Sequence, residues 1–200
     1  MSFWREISRV VMAGSLLWVL ACGTAWAGPP TDLVREKQEA LFALLEEEPT
    51  DQAKVDAIFD ELLDYRGLAE ASLGAEWGRI TEAQQAEFTG LLEQLVTRAY
   101  EKHLKKILAY RVDYLDETSE GEGVFLVRTR ATHKTDKRAE QVTISFKLAS
   151  REKGRFKVID LVIEEVSLVE SYRSQFTKVL KKEGWDGLIK KMKEKIAAGE

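Results

Sequence analysis

Apolar positions recur at helical spacing twice near the start of the chain. From Thr31 to Glu48 they are Leu33, Leu41, Phe42, Leu44 and Leu45, with Pro49 closing the segment. From Asp51 to Leu63 they are Val55, Ile58, Phe59, Leu62 and Leu63. Asp64 to Trp77 is shorter and broken by Gly67 and Gly74, which predicts one or two helical turns and a bend. Thr81 then opens the longest helix, with Gln84 placed to complete a capping box. Leu91, Leu92, Leu95, Val96, Ala99, Tyr100, Leu104, Ile107 and Leu108 form its apolar stripe, and charged or polar residues fill most of the gaps. At 1.5 Å per residue its length is roughly 40 Å. Two apolar residues per turn make a stripe wider than one sheet contact requires.

After Leu108 the period changes to two. Strands are predicted at Tyr110–Leu115, Val124–His133, Gln141–Ser150 and Phe156–Glu165. Short polar connections separate them, so an antiparallel four-stranded meander is the economical topology. Val142, Ile144, Phe146 and Leu148 make one clean face, and Phe125 and Val127 another, while Arg128 and Arg130 lie on the opposite side of their strand. The last strand is apolar on both sides, Val158 and Val162 on one and Ile159, Leu161 and Ile163 on the other, as expected of a strand covered twice. Ser167 can then cap a helix whose face holds Leu168, Val169, Tyr172, Phe176, Val179 and Leu180, and Gly184 reads as its stop. Helices on both sides of one meander predict the α+β class.

Composition changes this picture mainly at the N-terminus. Arg5 and Arg9 precede an apolar run from Val10 to Ala21, and Ala25-Trp26-Ala27 offers small residues where a signal peptidase reads. Residues 1–27 are therefore read as a secretory signal and 28–200 as one domain. The competing reading is a lipoprotein signal ending at Val19-Leu20-Ala21-Cys22, with Cys22 lipidated. Either way the mature chain has no cysteine for a disulfide. The formal net charge is -4, unevenly spread. Gly28 to Phe88 holds 15 acids and 5 bases, whereas Lys178 to Glu200 holds 7 lysines and 4 acids. Nucleic acid is excluded as an expected partner. The lysines of the last helix could meet anionic headgroups or an acidic partner, although a solvated lysine face accounts for them as well.

Catalytic chemistry finds little to stand on. The two histidines, His103 and His133, have no metal-ligand spacing, and nucleophile elbows, phosphate loops and dinucleotide fingerprints are missing. No metal and no cofactor are expected. Asp160 is the sole candidate catalytic carboxylate, because a charge in so apolar a strand is costly unless paired. The plainer reading makes it a structural acid bonded to backbone or to an arginine such as Arg173. Arg173 could instead fork onto a phosphate, or simply lie at the surface.

Two stretches carry a resemblance. Asp160, Val166-Ser167, Tyr172-Arg173-Ser174-Gln175-Phe176 and Gly184-Trp185-Asp186-Gly187-Leu188-Ile189 resemble the C-terminal signature of the MlaC family, the toluene-tolerance or ABC-transporter auxiliary proteins. Asp64, Tyr65, Leu68, Ala69, Leu73, Gly74 and Trp77 resemble its D-[FY]-x-x-M-A-R-x-x-L-G-x-x-W segment, with Leu68 for methionine and Glu70 for arginine. Glu165 stands where the pattern usually has glycine, which would permit a positive φ that glutamate resists. The likeness runs from about Asp64 to Lys195.

The resemblance implies a curved sheet wrapped by amphipathic helices around a hydrophobic cavity that holds a phospholipid as cargo. It implies a periplasmic carrier, expected to be a monomer, moving lipid between an outer-membrane lipoprotein complex and an inner-membrane ABC transporter with an MCE subunit. On that reading the tails are expected along Leu92, Val96, Tyr100 and Leu104 of the long helix, Phe125, Val127, Ile144 and Phe146 of the sheet, and Val162, Tyr172 and Phe176 of the signature, with Arg173 at the headgroup. Three alternatives remain at this stage: a cone-shaped enzyme using a buried acid on a small hydrophobic substrate, an export carrier for hopanoid-like lipids, and an assembly factor tethered through Cys22.

Overall fold

A computed structural model describes residues 28–198, so the expected export signal at 1–27 and Cys22 lie outside the described residues, as do the side chains of residues 99–105 and of Lys153. Helices α1 (Pro29–Glu46), α2 (Gln52–Leu62) and α3 (Tyr65–Leu73) lead through a 3-10 turn to α4 (Glu82–Ile107). Strands β1 (Tyr110–Gly121), β2 (Val124–His133), β3 (Val142–Ser150), β4 (Phe156–Ile163) and β5 (Val166–Ser167) follow, then α5 (Leu168–Ala198). The sheet runs β1-β2-β3-β4-β5 with every neighbouring pair antiparallel.

Local chemistry starts the helices where the sequence proposes. Pro29 and Pro30 occupy the first positions of α1, where a missing N–H costs nothing. The Asp51 carboxylate accepts the Lys54 N–H at 3.3 Å, and the Asp64 carboxylate accepts that of Gly67 at 2.8 Å. At α4 the capping box closes in both directions: Gln84 N–H donates to Thr81 Oγ1 at 3.3 Å and Thr81 N–H to Gln84 Oε1 at 2.9 Å. At α5, Ser167 Oγ accepts the Glu170 N–H at 3.0 Å. Gly184, at φ 68° and ψ −169°, is non-helical and ends the first helical segment of α5, as expected, and a second segment follows it directly.

Three features of the sheet differ from the sequence expectation. First, β1 continues to Gly121, because its polar half still pairs with β2 past an irregularity at Leu115, and Arg128 grips Asp116 through two 2.8 Å hydrogen bonds. Polar cross-strand pairs at a solvated end leave no apolar alternation to read. Second, Lys147 pairs with Asp160 but Leu148 with Val158, so Ile159 is an extra residue and the parity of β4 changes there. Val158 consequently shares a face with Leu161 and Ile163, and Val162 lies on the other side. Third, there are five strands, not four. Ile163 pairs with Val166 across Glu164 and Glu165, whose φ angles are 48° and 66°. Such a two-residue hairpin needs positive φ at both central positions, and Asn-Gly is its usual signal. Glu-Glu gives no such signal.

One face of the meander carries Val127, Ala131, Leu148, Val158 and Leu161, all buried, together with Ile144 and Phe146. The other carries Arg128 and Arg130 in water. Beyond the sheet, α3, α4 and α5 pack on one another. Phe88 and Leu92 of α4 are wholly buried there with Leu188 and Met192 of α5, and the Phe88 ring meets Phe176 edge-on at 5.3 Å. Helices α3 and α5 touch the sheet at β4, α1 at β1 and β2, and α2 at β4.

Left-handed backbone costs an L-residue about 1–2 kcal/mol, and glycine returns part of that through unfolded-state entropy. Glu165→Gly should therefore raise the unfolding free energy by about 0.5–1 kcal/mol, read from urea titrations at unchanged slope.

Candidate functional site

Between α1, α2 and the inner sheet face lies a cavity of about 560 Å³. Leu41 and Phe42 of α1 and Ile58 and Leu62 of α2 form one wall. Val112, Ala131, Val142, Ile144, Phe146 and Leu161 of the sheet form the other, and Ile107 and Tyr110 close one end. Among the described residues the lining, beyond these and similar apolar groups, turns polar at Lys37, Gln38 and Tyr110. The volume falls inside the roughly 300–1,000 Å³ common to small-molecule sites. At about 30 Å³ for a group the size of a water molecule, it has room for on the order of twenty methylenes.

The cavity's roof, α1 and α2, is tied to the sheet at several points along its length. At the start of α1, Thr31 donates to Glu117 Oε2 from its N–H at 2.9 Å and from its hydroxyl at 2.6 Å. A Cβ at Gly28 would come within 2.2 Å of Glu117 Oε1, so a larger residue there would displace the end of that side chain. Further along, the Tyr114 hydroxyl donates to Gln38 Oε1 at 2.9 Å, and the Arg35 guanidinium lies 4.7 Å above the Tyr114 ring. At the end of α2, Leu63 bridges to Val158, Asp64 N–H donates to the Val158 carbonyl at 2.9 Å, and Arg151 grips the Asp64 carboxylate. Lys37 links the two helices by donating to Glu61 Oε2 at 2.6 Å. That bond raises Lys37 above the ordinary lysine value and lowers Glu61 below the ordinary carboxylate value.

The residues expected to line a tail site are distributed over three places. Ile144 and Phe146 face the cavity. Val127 and Phe125 share their sheet face, but Val127 is fully buried and Phe125 meets Phe156 edge-on at 5.5 Å. Val162 lies on the opposite face. Leu92, Val96 and Phe176 belong to the helical core, with Tyr172 stacked on Phe176 at 5.4 Å. Arg173 donates to the Ala71 carbonyl at 2.9 Å and is not among the lining residues. The side chains of Tyr100 and Leu104 lie outside the described residues. The helical wall went unforeseen, although neighbouring apolar pairs such as Leu41-Phe42 and Leu62-Leu63 make stripes broader than one packing contact uses.

Comparison with known proteins decides the family. The model described as MlaC protein matches residues 36–194. The chain belongs to the MlaC family. Its fold is similar to a crystal structure from Ralstonia solanacearum, described as a phospholipid-binding protein in complex with a phospholipid. The TM-score is 0.72 at 21% identity, over 84% of this chain and 97% of that one. No curated protein matches the chain.

In this MlaC protein the candidate carboxylate is fully engaged in holding the fold. Asp160 Oδ1 accepts the N–H groups of Leu161 at 2.8 Å and Val169 at 3.1 Å, and Oδ2 accepts the Ser167 hydroxyl at 2.6 Å. The acid thus fastens β4 to β5 and to the first turn of α5, while Arg173 is occupied elsewhere. Among the described residues no cluster of His, Cys, Asp and Glu could hold a metal ion.

Asp160→Asn keeps one acceptor and should cost about 1–3 kcal/mol of stability, seen as a lower urea midpoint, with ligand uptake retained. A pH effect follows from the tyrosines. Burial pushes Tyr114, and likewise Tyr65, from 10.0 up to about 12. The folded state then keeps protons that the unfolded chain releases, so stability is complete below pH 10 and falls as pH rises toward 12. Tyr114→Phe should flatten that decline in thermal melts taken across this range.

Proposed function

We propose that this protein is an exported carrier of phospholipid, acting in the periplasm without catalysis. The observation that carries the proposal is the apolar cavity held open between the sheet and α1–α2. Family membership and the phospholipid-bound relative of the same fold support it. Physics supplies the need for such a carrier. At ~0.8 kcal/mol per methylene, two acyl chains of about 30 methylenes represent on the order of 25 kcal/mol of transfer free energy, so bare lipid crosses water very slowly. A dry cavity supplies the hydrocarbon with a destination, and no bond needs to be made or broken. Its partners on this reading are an outer-membrane lipoprotein complex that gives or takes lipid and an inner-membrane ABC transporter with an MCE subunit.

The competing enzyme reading would need a free acid at the cavity. Asp160 is hydrogen-bonded at both oxygens and does not line it. The carrier reading is therefore preferred.

Native mass spectrometry of the protein purified from its own periplasm should show a phospholipid adduct. Ala131 is buried in the cavity wall at 6% exposure, so Ala131→Phe places a ring in the cavity. This variant should fold with an unchanged circular dichroism spectrum and lose most of the adduct. Wild-type protein that is repeatedly empty, or a filled cavity that loads as well as an open one, would count decisively against a carrier.

A further inference from the structure

A phospholipid in this cavity must leave its phosphate where the wall turns polar, because an unpaired charge among apolar side chains is prohibitively costly. Lys37 is the one cation lining the cavity among the described residues. Its side chain is only 16% exposed, whereas the carboxylates it holds, Glu61 at 2.6 Å and Glu36 at 3.2 Å, are 63% and 71% exposed. The ammonium thus sits on the cavity side of the cluster and the two acids on the water side. The neighbouring cations have other partners: Lys157 donates to the carbonyls of Asp60 and Leu63, and Arg35 lies over Tyr114 beside Asp32.

Resting on the carrier reading above, we propose that Lys37, Glu61 and Glu36 form a headgroup site that selects zwitterionic phospholipids, those in which an ammonium follows the phosphate. The inner Lys37 takes the phosphate, and the outer Glu61 and Glu36 take the headgroup ammonium. The order of charge from cavity to water, positive and then negative, is the reverse of the order along such a headgroup, as complementarity requires. The cluster carries a net charge of minus one. An anionic headgroup without an ammonium would satisfy Lys37 but leave both carboxylates facing its own negative charge. Selection then comes from repulsion as much as attraction.

The test uses equimolar phosphatidylethanolamine and phosphatidylglycerol vesicles with matched acyl chains. Protein is loaded on them, re-isolated and analysed by native mass spectrometry. Wild type should carry the ethanolamine lipid in excess by about three- to fivefold, the range that a partly screened ion pair supplies. Lys37→Met removes the partner of a phosphate that both lipids share, so it should lower uptake of both several-fold while the ethanolamine preference persists. Glu61→Lys, a change at an exposed position that leaves the cavity wall intact, should reverse the preference, and 0.5 M salt should weaken both effects. A wild-type ratio equal to that of the vesicles, a preference unmoved by Glu61→Lys, or uptake unmoved by Lys37→Met overturns the headgroup site while the carrier stands. Failure of wild type to load either lipid overturns the carrier and the site together.

Discussion

The structure depends on a mismatch between the apolar area of one sheet face and the side chains available to cover it. Burying Val127, Leu148, Val158 and Leu161 draws helices onto the meander, since each such side chain is worth about 1.5–3 kcal/mol when removed from water. Yet Val142, Ile144 and Phe146 are left facing space. A sheet of this breadth has more inner surface than α3, α4 and α5 cover, because among the described residues α3 and α5 meet it chiefly at β4, and α5 also at β5. The rest must be roofed by α1 and α2, and a roof fixed at its edges need not touch the floor.

What fixes the edges is a set of acids used as acceptors. Glu117 takes two donors from Thr31, Asp64 takes Gly67 and Arg151, and Asp160 takes Leu161, Val169 and Ser167. A carboxylate is suited to this task because it has about four lone-pair sites and no proton to place. Each stands at a junction between a strand and a helix or between two helices, where backbone N–H groups would otherwise lack partners. The same chemistry that in another fold would suggest an active-site acid here holds the roof in place. Lys37 and Glu61 close the seam between α1 and α2 in a weaker and more exposed way.

Helices were legible because each carries its own start signal and a stripe at its own period: Thr81 with Gln84, Asp51 with Lys54, and Ser167 with Glu170 all act within one turn. The β3 face was legible for the same reason, its apolar residues alternating without interruption. The extra residue at Ile159 was not, because a bulge changes parity through pairing with another strand and leaves the apolar run intact. Nor was the hairpin at Glu164-Glu165, where an unfavourable conformation is held by pairing on both sides, including the Glu164 N–H to the Thr143 carbonyl at 3.1 Å.

By itself the sequence determined the α+β class, the order of the helices and of the first four strands, most helix caps, the absence of any common catalytic motif and the likeness to the MlaC family. Those are matters of local period and of residues near one another along the chain. Only the tertiary structure decided which apolar face is packed and which is left open. Leu92, Val96 and Phe176 have the same chemistry as Leu41, Ile58 and Ile144, and all of them leave water on folding. Whether a side chain then meets another side chain or an unfilled volume depends on how far two elements distant in sequence are held apart. Here that spacing is set by bonds such as Thr31 to Glu117, across 86 positions of the chain, and no pattern within either segment records it.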